Sequence, residues 1–227
     1  MRFTNTLTFL LLLAGLLSFG QVGLKELHPE LVDKPDLSRE RETKLQRFHK
    51  LVTIVERTQS EKEELELLSN HYDETMESIW DIIGGGCSWY CGGGNYKVTT
   101  SSELKSKSSI SYSAKSANDL SYKTAWVEGV EGSGIGEYLE YHFKNKSPQV
   151  THIIVSNGYF KSDKSWRNNN RVKSLKVSIN GLEYGVLQLE DSKTDQRFKF
   201  DGFKYNSDGK TDLVLKFEIL EVYRGTK

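Results

Sequence analysis

The segment at residues 159–171 carries the side chains of this sequence that are best suited to chemistry, because it combines aromatic rings with planar polar groups. An aromatic face stacks on the apolar side of a pyranose ring, and amide and guanidinium groups hydrogen-bond its vicinal hydroxyls. The pattern therefore predicts carbohydrate binding and not catalysis. With one asparagine just upstream, the candidate sugar-binding residues are Asn157, Tyr159, Trp166, Arg167 and Asn169.

Two interpretations of the aromatic residues stay open. In the first, Trp166 or Tyr159 stacks on the sugar, while Arg167, Asn169 and Asn157 donate and accept hydrogen bonds. In the second, Trp166 pins the loop onto the domain beneath it, since aromatic side chains often serve packing. The two interpretations differ in whether Trp166→Ala changes ligand affinity in a folded protein.

Motifs for catalysis or nucleotide binding do not emerge from the sequence. The triglycines at 84–86 and 92–94 lack the Gly-Lys-Ser/Thr ending of a phosphate loop, and the glycines at 132–136 are wrongly spaced for a dinucleotide fingerprint. Carboxylates are abundant but form no glycosidase constellation, and neither cysteine has a histidine partner. We predict that the chain is not an enzyme, with a glycoside hydrolase as the least favoured alternative.

Residues 1–20 have the layout of a secretory signal peptide, with Arg2 before an apolar run at 7–17 and small residues before Gln21. The apolar run is shorter than the ~20 residues that a membrane span needs, and an uncleaved anchor is the alternative. We therefore predict an exported protein, periplasmic or extracellular, with no membrane span in the mature chain.

The two cysteines, Cys87 and Cys91, are predicted to form a structural disulfide, with two inert thiols as the alternative. Export favours the disulfide, and the spacing matches neither a Cys-x-x-Cys redox pair nor a complete zinc site. No cofactor is expected, with calcium as the alternative. Asp119 and Glu137 could hold it together with backbone carbonyls, or could simply cap turns.

The charge of the chain excludes one class of partner. Basic and acidic residues balance at 31 each, and the modest basic surplus after residue 84 is too small for the clustered basic face that nucleic-acid binding needs. No nucleic-acid partner is therefore expected. A mildly anionic glycan or surface would suit this surplus.

The N-terminal third divides into a linker at 21–37 and a helical hairpin at 38–83. The linker contains two prolines and no periodicity. Ser38 is a good helix N-cap, and two sets of apolar residues at helical spacing follow it, joined near 58–60 and stopped by the triglycine at 84–86. The hairpin is predicted either to be a packing element or to dock a protein partner.

The chain after residue 94 changes to a period-two pattern of β-branched and aromatic residues, which is typical of half-buried strands. Asn180-Gly181 between two such strands predicts a two-residue hairpin turn of the primed type. Many short strands with polar turns favour a sandwich or barrel. The interior is predicted to contain Leu139, Tyr141, Phe143, Leu175, Val177, Ile179, Leu213, Leu215, Phe217 and Ile219.

Five short segments occur in a fixed order over the C-terminal two-thirds of the chain and together carry a family resemblance. They are Cys87-Ser88-Trp89-Tyr90-Cys91, Thr124-Ala125-Trp126, Gly134-x-Gly136-Glu137, Asn157-Gly158-Tyr159, and Trp166 through Arg171-Val172-Lys173. This series resembles the NADase-type glycan-binding domain, a bacterial module of the discoidin-like (F5/8 type C) jelly-roll class. The resemblance implies a non-catalytic jelly roll that recognises sugars through the loops at one end. The NAD-cleaving activity in the family's name belongs to a different domain.

The resemblance also bears on two further side chains and on the end of the chain. It places Trp126 at the base of the loops, where core packing is expected, and Arg171 is interpreted as structural as well. The family pattern continues past the last strand pattern at 212–223, so we expect either a missing final strand with an unpaired sheet edge or a fold that closes differently.

These observations predict a mainly β fold, a discoidin-like jelly-roll β-sandwich at 84–227 preceded by the N-terminal α-helical hairpin. The predicted function of this exported bacterial protein is non-catalytic binding of a glycan or glycoconjugate. The alternative is a protein-protein interaction or adhesion module of the cell envelope that uses the same fold.

Overall fold

The computed structural model describes residues 24–31, 34–74, 76–82, 94–106, 110–147, 149–201 and 210–227. The predicted signal peptide, Cys87 and Cys91 lie outside the described residues, and so does the triglycine at 84–86. Within the described ranges, no helix is both long enough and apolar enough to cross a membrane.

The described residues form nine strands and three α-helices. The strands are β1 (Glu26–Leu27), β2 (Glu30–Leu31), β3 (Lys97–Thr100), β4 (Tyr138–Phe143), β5 (His152–Ser156), β6 (Arg171–Ile179), β7 (Leu182–Gln188), β8 (Asp195–Lys199) and β9 (Leu213–Tyr223). The helices are α1 (Arg39–Thr53), α2 (Gln59–Ser69) and α3 (Asp163–Asn168).

The strands assemble into two sheets. The larger sheet has the order β1-β7-β6-β9-β4-β3, and the smaller one has the order β2-β8-β5. Among the described strands only β1 and β7 pair in parallel, while every other pairing is antiparallel. Sequence neighbours β6 and β7 are joined by a tight hairpin, whereas β9 inserts between β6 and β4.

The core between the sheets follows the alternation in the sequence. Leu213, Leu215 and Phe217 of β9 are buried together with Val177 of β6. Phe198 of the smaller sheet is fully buried in the same cluster, so the two sheets share one interior. The predicted mainly β, discoidin-like sandwich is therefore confirmed.

The hairpin between β6 and β7 has the predicted turn. Ile179 pairs with Leu182, and the two residues between them have positive φ angles, 49° at Asn180 and 82° at Gly181. Both angles lie in the left-handed region that Asn and Gly adopt most readily, which is the requirement of a primed turn. The side-chain oxygen of Asn180 also accepts the Val214 N–H at 2.7 Å, so the turn is tied to β9.

The segment predicted as a linker at 21–37 instead adds an edge strand to each sheet. Its β1 pairs with β7 and its β2 with β8, and Leu27 is buried in the sandwich core. Gly185 permits this approach, because a Cβ there would lie 2.5 Å from the Lys25 carbonyl oxygen. The prediction was wrong because two-residue strands show no periodicity, and their partners lie far away in sequence.

The first helix begins as predicted. The Ser38 hydroxyl caps α1 by accepting the N–H of Arg41 at 3.2 Å. The second helix, α2, opens with a reciprocal capping box between Thr58 and Glu61. It ends at Ser69, well before the triglycine, because Ser, Asn and His follow one another at this point and are weak helix formers.

The residues after α2 still pack where the prediction put them, although they are not helical. Met76 and Ile79 are buried against Phe48 of α1. The chain after α1 runs back along it, since Arg47 forms a 2.7 Å ion pair with Glu64 of α2 and the earlier Arg41 carbonyl accepts the hydroxyl of the later Tyr72 at 3.5 Å. The predicted helical hairpin is therefore present with a shorter second helix.

We call α1, α2 and the residues that follow them up to Ile82 the helical unit. Main-chain hydrogen bonds join this unit to the sandwich. The Tyr122 N–H donates to the Trp80 carbonyl and the Ile82 N–H to the Leu120 carbonyl, each at 2.9 Å. Below this junction the Tyr122 ring stacks on Phe160, with centroids 5.3 Å apart. Chain from the helical unit therefore lies next to the loop that follows β5.

Candidate functional site

The loop at residues 157–170 connects β5 to β6 and contains most of the candidate sugar-binding side chains. Its central feature is the short helix α3, which begins because the Ser162 hydroxyl accepts the Ser165 N–H at 3.0 Å. Asp163 in the first turn suits the positive end of the helix.

Asn157 lies beneath this loop and is 2% exposed. Its amide nitrogen donates to the Val172 carbonyl at 2.7 Å, and its amide oxygen accepts the Val172 N–H at 2.9 Å. The side chain thus pairs with the β6 backbone as a neighbouring strand would. A buried amide whose hydrogen bonds are satisfied by the backbone has no free group for a sugar. The geometry therefore argues against the predicted hydrogen bond between Asn157 and a sugar.

Arg171 is also buried, at 7% exposure. Its guanidinium donates two parallel hydrogen bonds to the Asp191 carboxylate, from Nε to Oδ1 at 2.9 Å and from Nη2 to Oδ2 at 2.8 Å. The third nitrogen, Nη1, donates to the carbonyls of Asn169 and Arg224. Bidentate Arg–carboxylate pairs are among the strongest hydrogen-bonded contacts in proteins, so this side chain ties together the loop, β6 and the C-terminal segment.

Trp166 is held from two sides. Its indole N–H donates to the Asn157 carbonyl at 2.8 Å, and the Arg171 guanidinium carbon lies 4.7 Å from the ring centroid. Gly158 leaves room for this stack, because a Cβ there would lie 2.7 Å from the Arg171 side chain and 3.1 Å from the indole. The structure thus contains the contacts of the pinning interpretation, and stacking of the half-exposed ring on a sugar stays a prediction. We call Asn157, Trp166 and Arg171 the loop base.

The remaining candidates, Tyr159, Arg167 and Asn169, form what we call the loop crest. The Arg167 side chain is 68% exposed, and its only contact within ion-pair distance among the described residues is Asp163 at 3.9 Å. Asn169 is exposed, and its amide nitrogen donates to the Ser165 carbonyl at 2.7 Å. Tyr159 is half-buried.

The C-terminal residues brace the crest from below. The Thr226 N–H donates to the Arg167 carbonyl at 3.1 Å, and the Gly225 N–H donates to the Asn170 side-chain oxygen at 3.0 Å. Gly225 is required for this approach, because a Cβ there would lie 2.2 Å from the Asn168 carbonyl oxygen. The loop is therefore fixed at both its base and its flank.

A cleft of about 490 Å³ opens beside the start of the loop. Its walls come from four places that are distant in sequence, namely the segment at 34–37, the helical unit, the loop at 160–163 and Lys193 between β7 and β8. The lining residues that carry charge or a half-buried aromatic ring are Lys34, Asp36, Trp80, Lys161, Asp163 and Lys193.

Sequence reasoning missed this cleft because it assigned residues 34–37 to a linker and did not single out Trp80. The sequence carries no clear signal for the cleft, because Trp80 also packs against the helical core that contains Met76 and Ile79.

Both carboxylates of the cleft are held in the charged form. Lys193 lies 2.8 Å from Asp163 and is the main cause of the lowered pKa of that carboxyl. Hydrogen bonds from Ser38 lower the pKa of Asp36. Both groups are therefore anionic at neutral pH and already have partners.

The other predicted side chains have local hydrogen-bond partners. The half-buried Trp126 donates its indole N–H to the Ser102 carbonyl at 3.0 Å. Asp119 accepts from Ser121 and Thr124, and Glu137 accepts from two serine hydroxyls, which lower its pKa. In the part of the chain that the structure describes, no group of three or more His, Cys, Asp or Glu side chains is arranged to hold a metal ion.

Glu128 and Glu137 are the carboxylates whose pKa values move in opposite directions, which is the pattern of an acid and base pair. Burial raises the pKa of Glu128, whereas serine hydroxyls lower that of Glu137. Glu128 packs against the glycine turn at Gly134. Neither glutamate lines the cleft.

Residues 89–227 match the family of the NAD glycohydrolase translocation F5/8 type C domain. Among solved structures, the chain is similar to the CBM32-1 and CBM32-2 domains from Clostridium perfringens ZmpB, at 15% identity and a TM-score of 0.40. That match covers 57% of this chain and 31% of the other, so the chain spans about a third of that protein's length. No curated protein sequence matches.

Proposed function

The chain belongs to the family of NAD glycohydrolase translocation F5/8 type C domains, and from this membership we propose that its sandwich binds a carbohydrate without altering it. The binding surface is the loop crest. Arg167 and Asn169 supply hydrogen bonds to sugar hydroxyls, and Tyr159 supplies an aromatic surface. Asn157 and Trp166 position these residues from below.

The observation that carries the proposal is the contrast between two buried, hydrogen-bonded side chains of the base, Asn157 and Arg171, and the exposed polar side chains of the crest. A loop whose backbone is already ordered loses less conformational entropy when a ligand binds, so more of the energy of its polar contacts appears as affinity. The Asn157 pairing with Val172 and the Arg171 pairing with Asp191 provide this order.

A second candidate function is the binding of a partner protein through the helical unit. It is favoured by two large apolar side chains that this unit exposes, Val55 at 95% and Leu67 at 68%, and by the word translocation in the family's description. Under both candidates we propose that the chain is exported, to the periplasm or the extracellular space, and that it is not an enzyme.

The test is a glycan-array screen of residues 21–227, run beside the double variant Arg167→Ala/Asn169→Ala. Lys164→Ala is the matched control, because Lys164 is exposed on the same helix but belongs to neither the crest nor the cleft. We expect selective binding that falls by about tenfold or more in the double variant, which corresponds to about 1.4 kcal/mol, and that is unchanged in the control.

Cooperative unfolding of each variant, followed by circular dichroism, shows whether the chains on the array are folded. A folded wild-type chain that binds no glycan would refute carbohydrate binding and favour the partner-protein function. Selective binding that survives in the double variant would place the site away from the crest.

A further inference from the structure

The cleft beside the loop has a charge distribution that the proposed function does not explain. Three lysines and two aspartates line it. The aspartates are already bonded, Asp36 by the Ser38 N–H at 3.0 Å and Asp163 by Lys193 at 2.8 Å. The charge of Asp163 is therefore neutralised by Lys193, and Asp36 already accepts a main-chain hydrogen bond.

The three lysines of the cleft differ in whether they have an ion-pair partner. Lys193 is largely buried by its pairing with Asp163, with 15% of its side chain exposed. Lys34 and Lys161 are exposed, and neither has an ion-pair partner within 4.0 Å among the residues that the structure describes. These two lysines line the cleft from different parts of the chain, one from the N-terminal segment and one from the loop.

The cleft also offers an aromatic surface. Trp80 is half-buried and lines the same cleft as the two lysines. The Lys123 ammonium lies 5.4 Å from its ring centroid, which adds a further positive charge at the margin. The volume of about 490 Å³ lies within the range of roughly 300–1,000 Å³ that is usual for small-molecule sites.

An aromatic ring in a cleft that is also lined by lysines matches the chemistry of one class of sugar. A neutral saccharide would use the ring but leave the two ammonium groups without a partner, whereas a simple inorganic anion would use the lysines but not the ring. A sugar that carries a carboxylate or a sulfate ester would use both.

We propose that this cleft binds the acidic unit of an anionic carbohydrate, with its carboxylate or sulfate on Lys34 and Lys161 and its ring against Trp80. The inference rests on the proposed function, since it assigns a ligand class to the same loop. It also gives a role to the N-terminal segment and the helical unit, which complete a site that the sandwich alone would leave open.

The experiment uses matched pairs of glycans that differ only in the acidic group, namely sialylated and asialo chains, uronate chains and their carboxyl-reduced forms, and sulfated and desulfated chains. Each pair is titrated against the mature chain at low and at physiological salt. The variants are the double change Lys34→Gln/Lys161→Gln and the control Lys164→Gln. Sodium sulfate alone is titrated as well.

We expect the acidic member of at least one pair to bind about fivefold or more tightly than its neutral partner, with a preference that weakens as salt rises. Lys34→Gln/Lys161→Gln should abolish this preference and Lys164→Gln should keep it. Trp80→Phe, which retains an aromatic ring, should keep the acid preference but lower the affinity of both members.

Two results would overturn the inference while leaving the proposed function intact. These are equal binding of both members in every pair, and an acid preference that survives Lys34→Gln/Lys161→Gln. Sulfate alone binding as tightly as the acidic glycans would reduce the site to an inorganic anion site. A folded chain that binds neither member of any pair would refute both the inference and the carbohydrate function.

Discussion

The base and the crest of the loop at 157–170 contain the same types of residue in opposite environments. Each has an arginine and an asparagine, Arg171 and Asn157 below and Arg167 and Asn169 above. Those below are nearly inaccessible to solvent and satisfied by main chain or by Asp191, whereas those above are exposed.

This difference teaches that residue type alone does not identify a binding group. Arginine and asparagine suit sugar hydroxyls and buried backbone equally well, because both offer planar donors. Burial decides between the roles, since a buried polar group must be bonded by the protein to avoid a desolvation penalty. Matched substitutions in base and crest therefore separate the structural effect from the functional one.

The two arginine variants should differ most in their loss of stability. Arg171→Ala removes the bidentate partner of Asp191 and the guanidinium beneath Trp166, so we expect the free energy of unfolding to fall by about 3 kcal/mol. Arg167→Ala should change stability by less than about 0.5 kcal/mol and should weaken glycan binding. Urea denaturation of both variants measures this, and equal stability losses would contradict the division into base and crest.

The two asparagine variants should show a smaller difference in stability, again with the greater loss in the base. Asn157→Ala leaves the Val172 N–H and carbonyl without their partners, which we expect to cost about 2 kcal/mol. Asn169→Ala keeps the base intact and should leave the urea midpoint nearly unchanged. If Asn157→Ala instead reduced affinity at unchanged stability, Asn157 would be a ligand contact as the sequence predicted.

Two tyrosines, the buried Tyr122 and Tyr159 of the crest, extend the comparison to the pH dependence of stability. Burial and the Asp195 carboxylate, 2.5 Å from the hydroxyl, raise the pKa of Tyr122 well above its ordinary value. Because the folded state holds this proton more tightly, the resulting stability is complete below about pH 10, the pKa of an unfolded tyrosine, and is lost as the pH rises further.

We therefore expect the free energy of unfolding of wild type to fall above about pH 10, more steeply than that of Tyr122→Phe. At neutral pH the variant should be less stable by about 1–2 kcal/mol, because it lacks the hydroxyl that donates to Asp195. Tyr159→Phe is the crest control and should retain the wild-type pH profile. Identical profiles for all three proteins would show that Tyr122 titrates normally.

Part of this architecture could be predicted because it depends on local pattern. Alternation along β9 and β6 fixed which residues face the core, and the positive φ tolerance of Asn180 and Gly181 indicated the turn. The crest could be identified in the same way, since exposed polar loops carry recognisable composition.

The rest depends on contacts between distant segments, which no local pattern contains. The burial of Leu27 follows from its pairing with β7, and the cleft exists only because Lys34 and Trp80 meet the loop in space. Asn157 was assigned to the ligand for the same reason, since its partner Val172 is reached only after the chain has turned back along β6.

The two edge strands contributed by the N-terminal segment also have a kinetic consequence. Glu26 pairs opposite Val186, and Glu30 opposite Arg197, so these contacts close loops of about 160 residues. Contacts of such high sequence separation form slowly, because their loop-closure entropy must be met before they contribute any stability. We expect the N-terminal segment to dock last, so that its docking limits the rate of refolding and the lysine-lined cleft becomes complete only in that final step.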